Sequence, residues 1–364
     1  MSKPALKGSV LFLTLYDVCD EIRLAELREL LGLPPAGREP SFKHAAPEYV
    51  RFERPPVVEP LEEISLATGE RLRGRIKYYD YGVTSVELTL LFEGGWEQLV
   101  ELSSRYVAGL EIERHAFQIA KQKLERVARA LVNPYSTWLS EDYSIFHLLE
   151  IEGNPTASEL YRDHPNEIAQ IVRGENLPLS DAERSEILQS AMSYYPSDLV
   201  VIGWNGAFLH DTAAGAATTI QLLEYANSQL LEFRHYDEVL TRRLKSVYQS
   251  LERGTGYLAR WRLARASARL YTLLLEVTEL TERADNSIKF LSDMFSARLY
   301  RLAAAKVGVP DYKELVHQKL RTADNLYKFM VEQFNQGRAF VLEVMVVIIL
   351  IIELGLLFWP PHSR

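Results

Sequence analysis

Cysteine is almost missing. Cys19 is the only one among 364 residues, so no internal disulfide and no thiolate metal cluster can form, and a reducing compartment fits. A basic surplus is missing too: 41 Lys and Arg against 49 Asp and Glu leave a formal charge of −8, which disfavours a broad nucleic-acid footprint. The opening MSKPALKGSV lacks the apolar core of a signal peptide and the Arg-rich stretch of a mitochondrial import peptide. Enzyme signatures are absent as well. There is no Walker A loop, no dinucleotide glycine fingerprint, no HExxH and no serine-hydrolase elbow. Gly203-Trp204-Asn205-Gly206 is too short and irregular to cradle phosphate and reads as a strand turn. No catalytic residue, cofactor, metal or specific small-molecule substrate is therefore expected.

What is present begins with alternating apolar runs. Val10 to Tyr16 reads as a strand, and a helical pattern follows from Asp20 to Leu31 before Pro34 and Pro35. Tyr49 to Phe52 suits a short strand. Gly74–Tyr81 and Val83–Phe92 form a hairpin pattern turning at Asp80, Tyr81 and Gly82. Trp96 to Val132 carries one long helical period, ended by Asn133 and Pro134. This order predicts an α+β body over residues 1–134. A middle α+β segment, 135–213, packs with it. It contains a strand at Phe146–Ile151, a helix capped by Ser180 with Glu183, and two short strands on either side of Trp204.

From Thr218 the period becomes that of long helices. Leu223, Ala226, Leu230, Phe233, Asp237, Leu240 and Leu244 recur at spacings of three and four, with Asp237 the one polar intrusion. A second run, from Leu263 to Met294, and a third, from Asp311, do the same. Residues 214–339 are thus expected to form an antiparallel coiled-coil stalk. The stripe of the third run continues past Gly337 into Phe340–Pro360, FVLEVMVVIILIIELGLLFWP. Twenty helical residues span about 30 Å, the thickness of a bilayer core, so 340–360 is expected to be a single transmembrane helix. Arg321, Lys328 and Arg338 precede it and Arg364 alone follows, which places the body in the cytoplasm on a prokaryotic inner membrane.

The stretch Asn227–Leu240, NSQLLEFRHYDEVL, is followed by Arg283, Asp285, Asn286, Lys289 and Asp293. With Lys319, Arg338, Glu343 and Glu353 around the terminal run, it resembles the "required for meiotic nuclear division" protein family. The resemblance is strongest over 195–360 and weak before 135. It implies an oligomeric inner-membrane protein, with a mitochondrial member supporting organellar translation, and so a ribosome-associated or other protein partner. The plan of helices followed by a membrane segment is also similar to magnesium channels, but a second transmembrane helix and the Gly-Met-Asn signature are missing.

Several residues invite chemistry. Glu232 and His235 have the ExxH spacing of helical di-metal sites, but no second copy occurs, so ion pairing among Glu232, Arg234, His235, Asp237 and Glu238 is the plainer reading. Asp237 and Arg283 would form an interhelical clasp. Arg242 to Arg269 is a locally basic zone, either a solvated stalk tip or a contact for RNA, ribosomes or acidic headgroups. Glu353 inside the apolar run would mark helix–helix association, a tolerated charge in an anchor, or an ion path. Glu343 sits at the edge. These readings converge on a membrane-anchored homo-oligomeric scaffold, with an enzyme or ligand-binding role for the N-terminal body as the alternative.

Overall fold

Strand β1 (Leu6–Asp17) is apolar on both sides of its pleat, and both sides are buried: Val10, Phe12 and Tyr16 face one way, Leu11, Leu13 and Leu15 the other. Such a strand belongs in the interior of a sheet covered on both faces. A computed structural model places it there; the residues described are 6–34, 50–52, 55–66, 69–107, 109–252, nine helical positions between 265 and 278, 288–290 and 294–357. After β1 come β2 (Glu21–Ile22), α1 (Leu24–Leu30), β3 (Val50–Phe52), β4 (Val57–Ser65), β5 (Arg71–Tyr78) and β6 (Val83–Gly94). Helices α2 (Trp96–Val107) and α3 (Leu110–Arg126) lead to β7 (Leu131–Val132) and the long β8 (Leu139–Ile151). Then follow α4 (Ala157–Asp163), α5 (Pro165–Arg173), α6 (Asp181–Leu188), β9 (Ala191–Met192), β10 (Leu199–Ile202) and β11 (Gly206–His210). Helix α7 (Ala213–Glu252), β12 (Ile288–Phe290), α8 (Met294–Val307) and α9 (Val309–Leu357) close the order.

The main sheet has eight strands in the order β4-β5-β6-β1-β8-β11-β10-β9. Its pairings are antiparallel apart from β8 with β11, which is parallel. The even-numbered side of β1 joins Leu72, Ile76, Tyr78, Val86 and Leu88 in one core, closed by Leu99 and Tyr106 of α2, Ala116, Ala120 and Leu124 of α3, and Ile168 and Ile171 of α5. The opposite side receives α7, whose Glu224, Ser228 and Arg234 meet Lys77, Tyr81 and Glu141. Residues 222–233 of α7 are buried on every side, and on the flank away from those strands Tyr300 of α8 donates to Gln229.

Several expected elements are divided more finely. The helical pattern of 96–132 breaks at Gly109, which takes extended backbone and starts α3 afresh. Its last two residues, Leu131 and Val132, pair with Glu21 and Ile22, which delays α1 to Leu24. The pattern running to Met294 is interrupted by β12, paired with β3 in the register Ile288 to Phe52. Ser180 accepts from the Glu183 amide as its spacing predicts, and Thr156 with Glu159 forms a full capping box on α4.

The chain divides into two compact units, 1–235 with 280–313, and 236–279 with 314–364. The sheet and its covering helices form the first. In the second, Leu240, Leu244, Val247, Val316, Ala323 and Met330 are buried, Tyr271 stacks on Tyr327 with centroids 5.3 Å apart, and Lys319 reaches Asp237.

The expected α+β body with a transmembrane helix at its C-terminal end is corrected on its last element. Among the described residues no helix is long and apolar enough to cross a membrane. The physical reason is the length of the uncharged stretch. Val344 to Ile352 is nine residues between Glu343 and Glu353, about 14 Å of helix against a bilayer core of about 30 Å. The single-pass inner-membrane placement, which rested on that helix, is withdrawn with it. The apolar run is the distal part of the 49-residue α9.

Candidate functional site

Helix α7 carries Gln221, Glu224, Ser228, Glu232 and His235 at intervals of three and four, a polar line down an apolar helix. Glu224 and Ser228 are fully buried, and Glu232 nearly so. Burying such groups is tolerable only where partners meet them. The odd-numbered side of β5 and β6 supplies the first partners. Cross-strand register sets Arg75 opposite Glu87 and Lys77 opposite Ser85, on the face that also holds Leu13 and Leu15. Lys77 Nζ bonds Glu224 and lies 3.1 Å from Glu87 Oε2. Arg75 donates to the same Glu87 oxygen through two nitrogens, at 2.9 and 2.8 Å. Tyr79 is enclosed beside them, and burial, with Glu224 adding to it, holds its phenol well above the ordinary value and therefore neutral. Tyr81 and Ser228 share a buried hydroxyl–hydroxyl bond of 2.8 Å.

These groups border a cleft of about 480 Å3 on the α7 side of the sheet, lined in part by Ser9, Arg75, Lys77, His147, Gln221 and Glu224. Oε1 of Glu224 is buried and has no hydrogen-bond partner. His147 Nε2 lies 3.0 Å from the Asp211 carbonyl oxygen. That oxygen can only accept, so Nε2 carries the proton. Burial pulls the His147 pKa below its ordinary value, the Asp211 carbonyl opposing, so the ring is neutral at pH 7 and Nδ1 keeps a lone pair.

A second polar group sits at the far end of the same line. His235 Nδ1 is 2.6 Å from Asp17 Oδ2, and Tyr135 stacks on the imidazole with centroids 4.6 Å apart. Tyr135 in turn donates to Asp20 at 2.7 Å, and Asn133 donates to the other Asp20 oxygen at 2.8 Å. Arg234 pairs with Glu141 of β8. Burial raises the Asp17 pKa, while His235 opposes the shift by bond and charge. The arrangement ties the ends of β1 and β8 to α7.

The sequence-predicted residues fall as follows. Midway along α7 Arg234 meets Glu141 and His235 meets Asp17, with Glu232 almost wholly buried one turn before them. His235 meets a carboxylate instead of a metal, and among the described residues no group of three or more His, Cys, Asp or Glu is placed to hold one. Asp237 takes Lys319, at 2.5 Å, as its cation. The expected Asp237–Arg283 clasp, with Arg283, Asp285, Asn286 and Asp293, lies outside the described residues. Lys289 is on β12 opposite Arg51, Arg338 is on α9, and Glu343 and Glu353 are exposed on α9. Arg242, Arg243, Lys245 and Arg265 of the basic zone are exposed. Sequence reasoning missed Arg75, Lys77, Glu87, Glu224, Asp17 and Glu141. Two signals were available: the alternation Arg71, Arg73, Arg75, Lys77 along β5, and the polar line of α7.

A family model described as "Uncharacterized protein MJ0711, N-terminal domain" matches residues 7–217, from the start of the sheet into the first turn of α7. The chain belongs to this MJ0711 family. The protein of that name from Methanocaldococcus jannaschii is 19% identical over 315 residues, covering 86% of this chain and 87% of the relative. No solved structure matches. The MJ0711 assignment overturns the resemblance to the "required for meiotic nuclear division" family, and the implied link to translation lapses with it. The residues that suggested that family have local explanations. Asn227, Gln229 and Arg234 hold partners within this fold, as any polar-lined buried helix must.

Proposed function

We propose that this MJ0711-family protein is a self-associating interaction protein whose copies join through the distal part of α9. One observation carries the reading. Every residue from Val344 to Ile352, and Leu354 after it, leaves 41–64% of its surface uncovered. Nine successive helical residues make two and a half turns, so the apolar surface faces all directions. A helix apolar all round is stable in water only when surrounded, and monomers rarely expose contiguous apolar area on this scale. A second copy supplies a segment of identical length with charges at the same two ends. One neighbouring helix covers only one side, so the favoured assembly is a bundle of three or more copies. Glu343 and Glu353 are ten residues apart, roughly 80° around the helix, and both fit the solvent-facing flank of such a bundle. At about 1.5 kcal/mol or more per buried aliphatic side chain, association has ample driving force.

Sedimentation of the full chain in detergent-free buffer tests this. Concentration-dependent assembly is expected, and Ile348→Asp with Ile351→Asp should return it to monomers with unchanged circular dichroism in the sheet region. A wild-type chain that stays monomeric at micromolar concentration sinks the reading.

A further inference from the structure

We infer that the cleft between β5, β8 and the start of α7 is a binding site for a small zwitterion of amino-acid type, its ammonium received by Glu224 and its carboxylate by Arg75. The inference is independent of self-association. The cleft, at about 480 Å3, has room for such a molecule, and its walls are mixed in charge: Arg75 and Lys77 against Glu87 and Glu224. Those four charges cancel. A ligand with net charge would leave one of them uncompensated in a partly dry site, whereas a zwitterion matches both signs.

The polar detail favours the same class. Glu224 is wholly buried, Lys77 and Tyr79 bond its carboxylate, and Oε1 has no hydrogen-bond partner of its own. A buried carboxylate oxygen without a donor is a standing deficit that an incoming N–H would remove. Neutral His147, with Nε2 committed to the Asp211 carbonyl, offers Nδ1 as a second acceptor. At the other end, Arg75 directs two of its nitrogens to Glu87, and its side chain remains about half exposed, leaving guanidinium donors for a carboxylate. Ala213, Ala217 and Ile220 give the cleft an apolar wall beside these groups, suited to a short side chain.

The test uses the full chain with each standard L-amino acid in turn, read by melting temperature and then by calorimetry. At least one should raise the melting temperature by about 2–4 °C at saturating concentration. For that amino acid, the amine lacking the carboxylate and the acid lacking the amine should each bind roughly tenfold or more weakly. Glu224→Gln should lose binding by a similar factor, as should Arg75→Gln. The second variant is at a half-exposed site and keeps the fold even if the first does not. Absence of binding by every amino acid overturns the inference. So does undiminished binding by Arg75→Gln, or by either truncated analogue.

Discussion

Lys77 sits between Glu87 and Glu224 with 7% of its surface exposed, and removing it leaves Glu224 buried without its cation. Breaking a buried pair from one side strands a charge that has already lost its water. Lys77→Met should therefore lower unfolding stability by about 3–5 kcal/mol in urea titration, and adding Glu224→Leu should recover part of it. A single variant within about 1 kcal/mol of wild type would show that Tyr79 and water suffice for Glu224. His147 gives a pH dependence with a definite sign. Its folded pKa is depressed by burial, so the unfolded chain binds the extra proton first. The stabilisation is present above the ordinary histidine value of about 6.5 and is lost as pH falls through the lower folded value. Urea midpoints measured between pH 5 and 7.5 should fall less steeply for His147→Gln than for wild type, and equal slopes would assign the dependence to another group. Cys19 is buried, donates to the Glu21 carbonyl, and has its pKa pushed up to about 12 by burial. It should resist iodoacetamide at pH 8 in the native protein and react fully in urea, because only the thiolate attacks. Rapid native labelling would contradict the placement of β1.

Among the elements, the β5–β6 hairpin is fixed by a single backbone position. Gly82 has φ +95°, and a Cβ there would stand 1.8 Å from the Cys19 carbonyl oxygen, while its own carbonyl accepts from Val18. Gly82→Ala should cost about 2 kcal/mol or more, since it adds backbone strain to a collision with main chain that cannot swing aside. A urea midpoint equal to wild type would mean that the turn repacks. This hairpin was legible because its information is local: alternation on both sides of an Asp-Tyr-Gly turn. The same holds for β10 and β11 around Trp204, and for the cap at Ser180. The division of 96–132 at Gly109 was not legible, because one glycine in a strong helical period is usually absorbed. Least legible was the Lys77–Glu224 pair. Its members are 147 residues apart, and each looks solvated within its own segment. The terminal run misled for a related reason. Its hydropathy was counted over twenty residues, while Glu343 and Glu353 inside it leave only nine uncharged residues between them.

At the scale of the whole molecule, the proposed assembly on α9 would have consequences that a lone chain lacks. A species that must associate to cover apolar surface gains stability with its own concentration, so the melting temperature should climb as protein is concentrated. Glu343 and Glu353 on the solvent-facing flanks of neighbouring copies would repel one another around the bundle surface, and salt screens that repulsion while leaving the apolar contact intact. Raising ionic strength should thus shift the sedimentation profile towards the assembly. A profile that dissociates with salt would indicate ion pairing as the driving force. Both readouts are independent of the zwitterion cleft, which lies wholly within the first compact unit.

The position of β1 in the sheet has a temporal side. It leaves a ribosome before both of its partners, β6 and β8, and β8 begins at Leu139. At common synthesis rates that neighbour arrives on the order of ten seconds later. LFLTLY, apolar on both sides, has no strand to pair with until β6 follows, and its second edge stays open until β8 arrives. The nascent chain is therefore a natural client for holding chaperones, and slowing translation before β6 would lengthen its exposure.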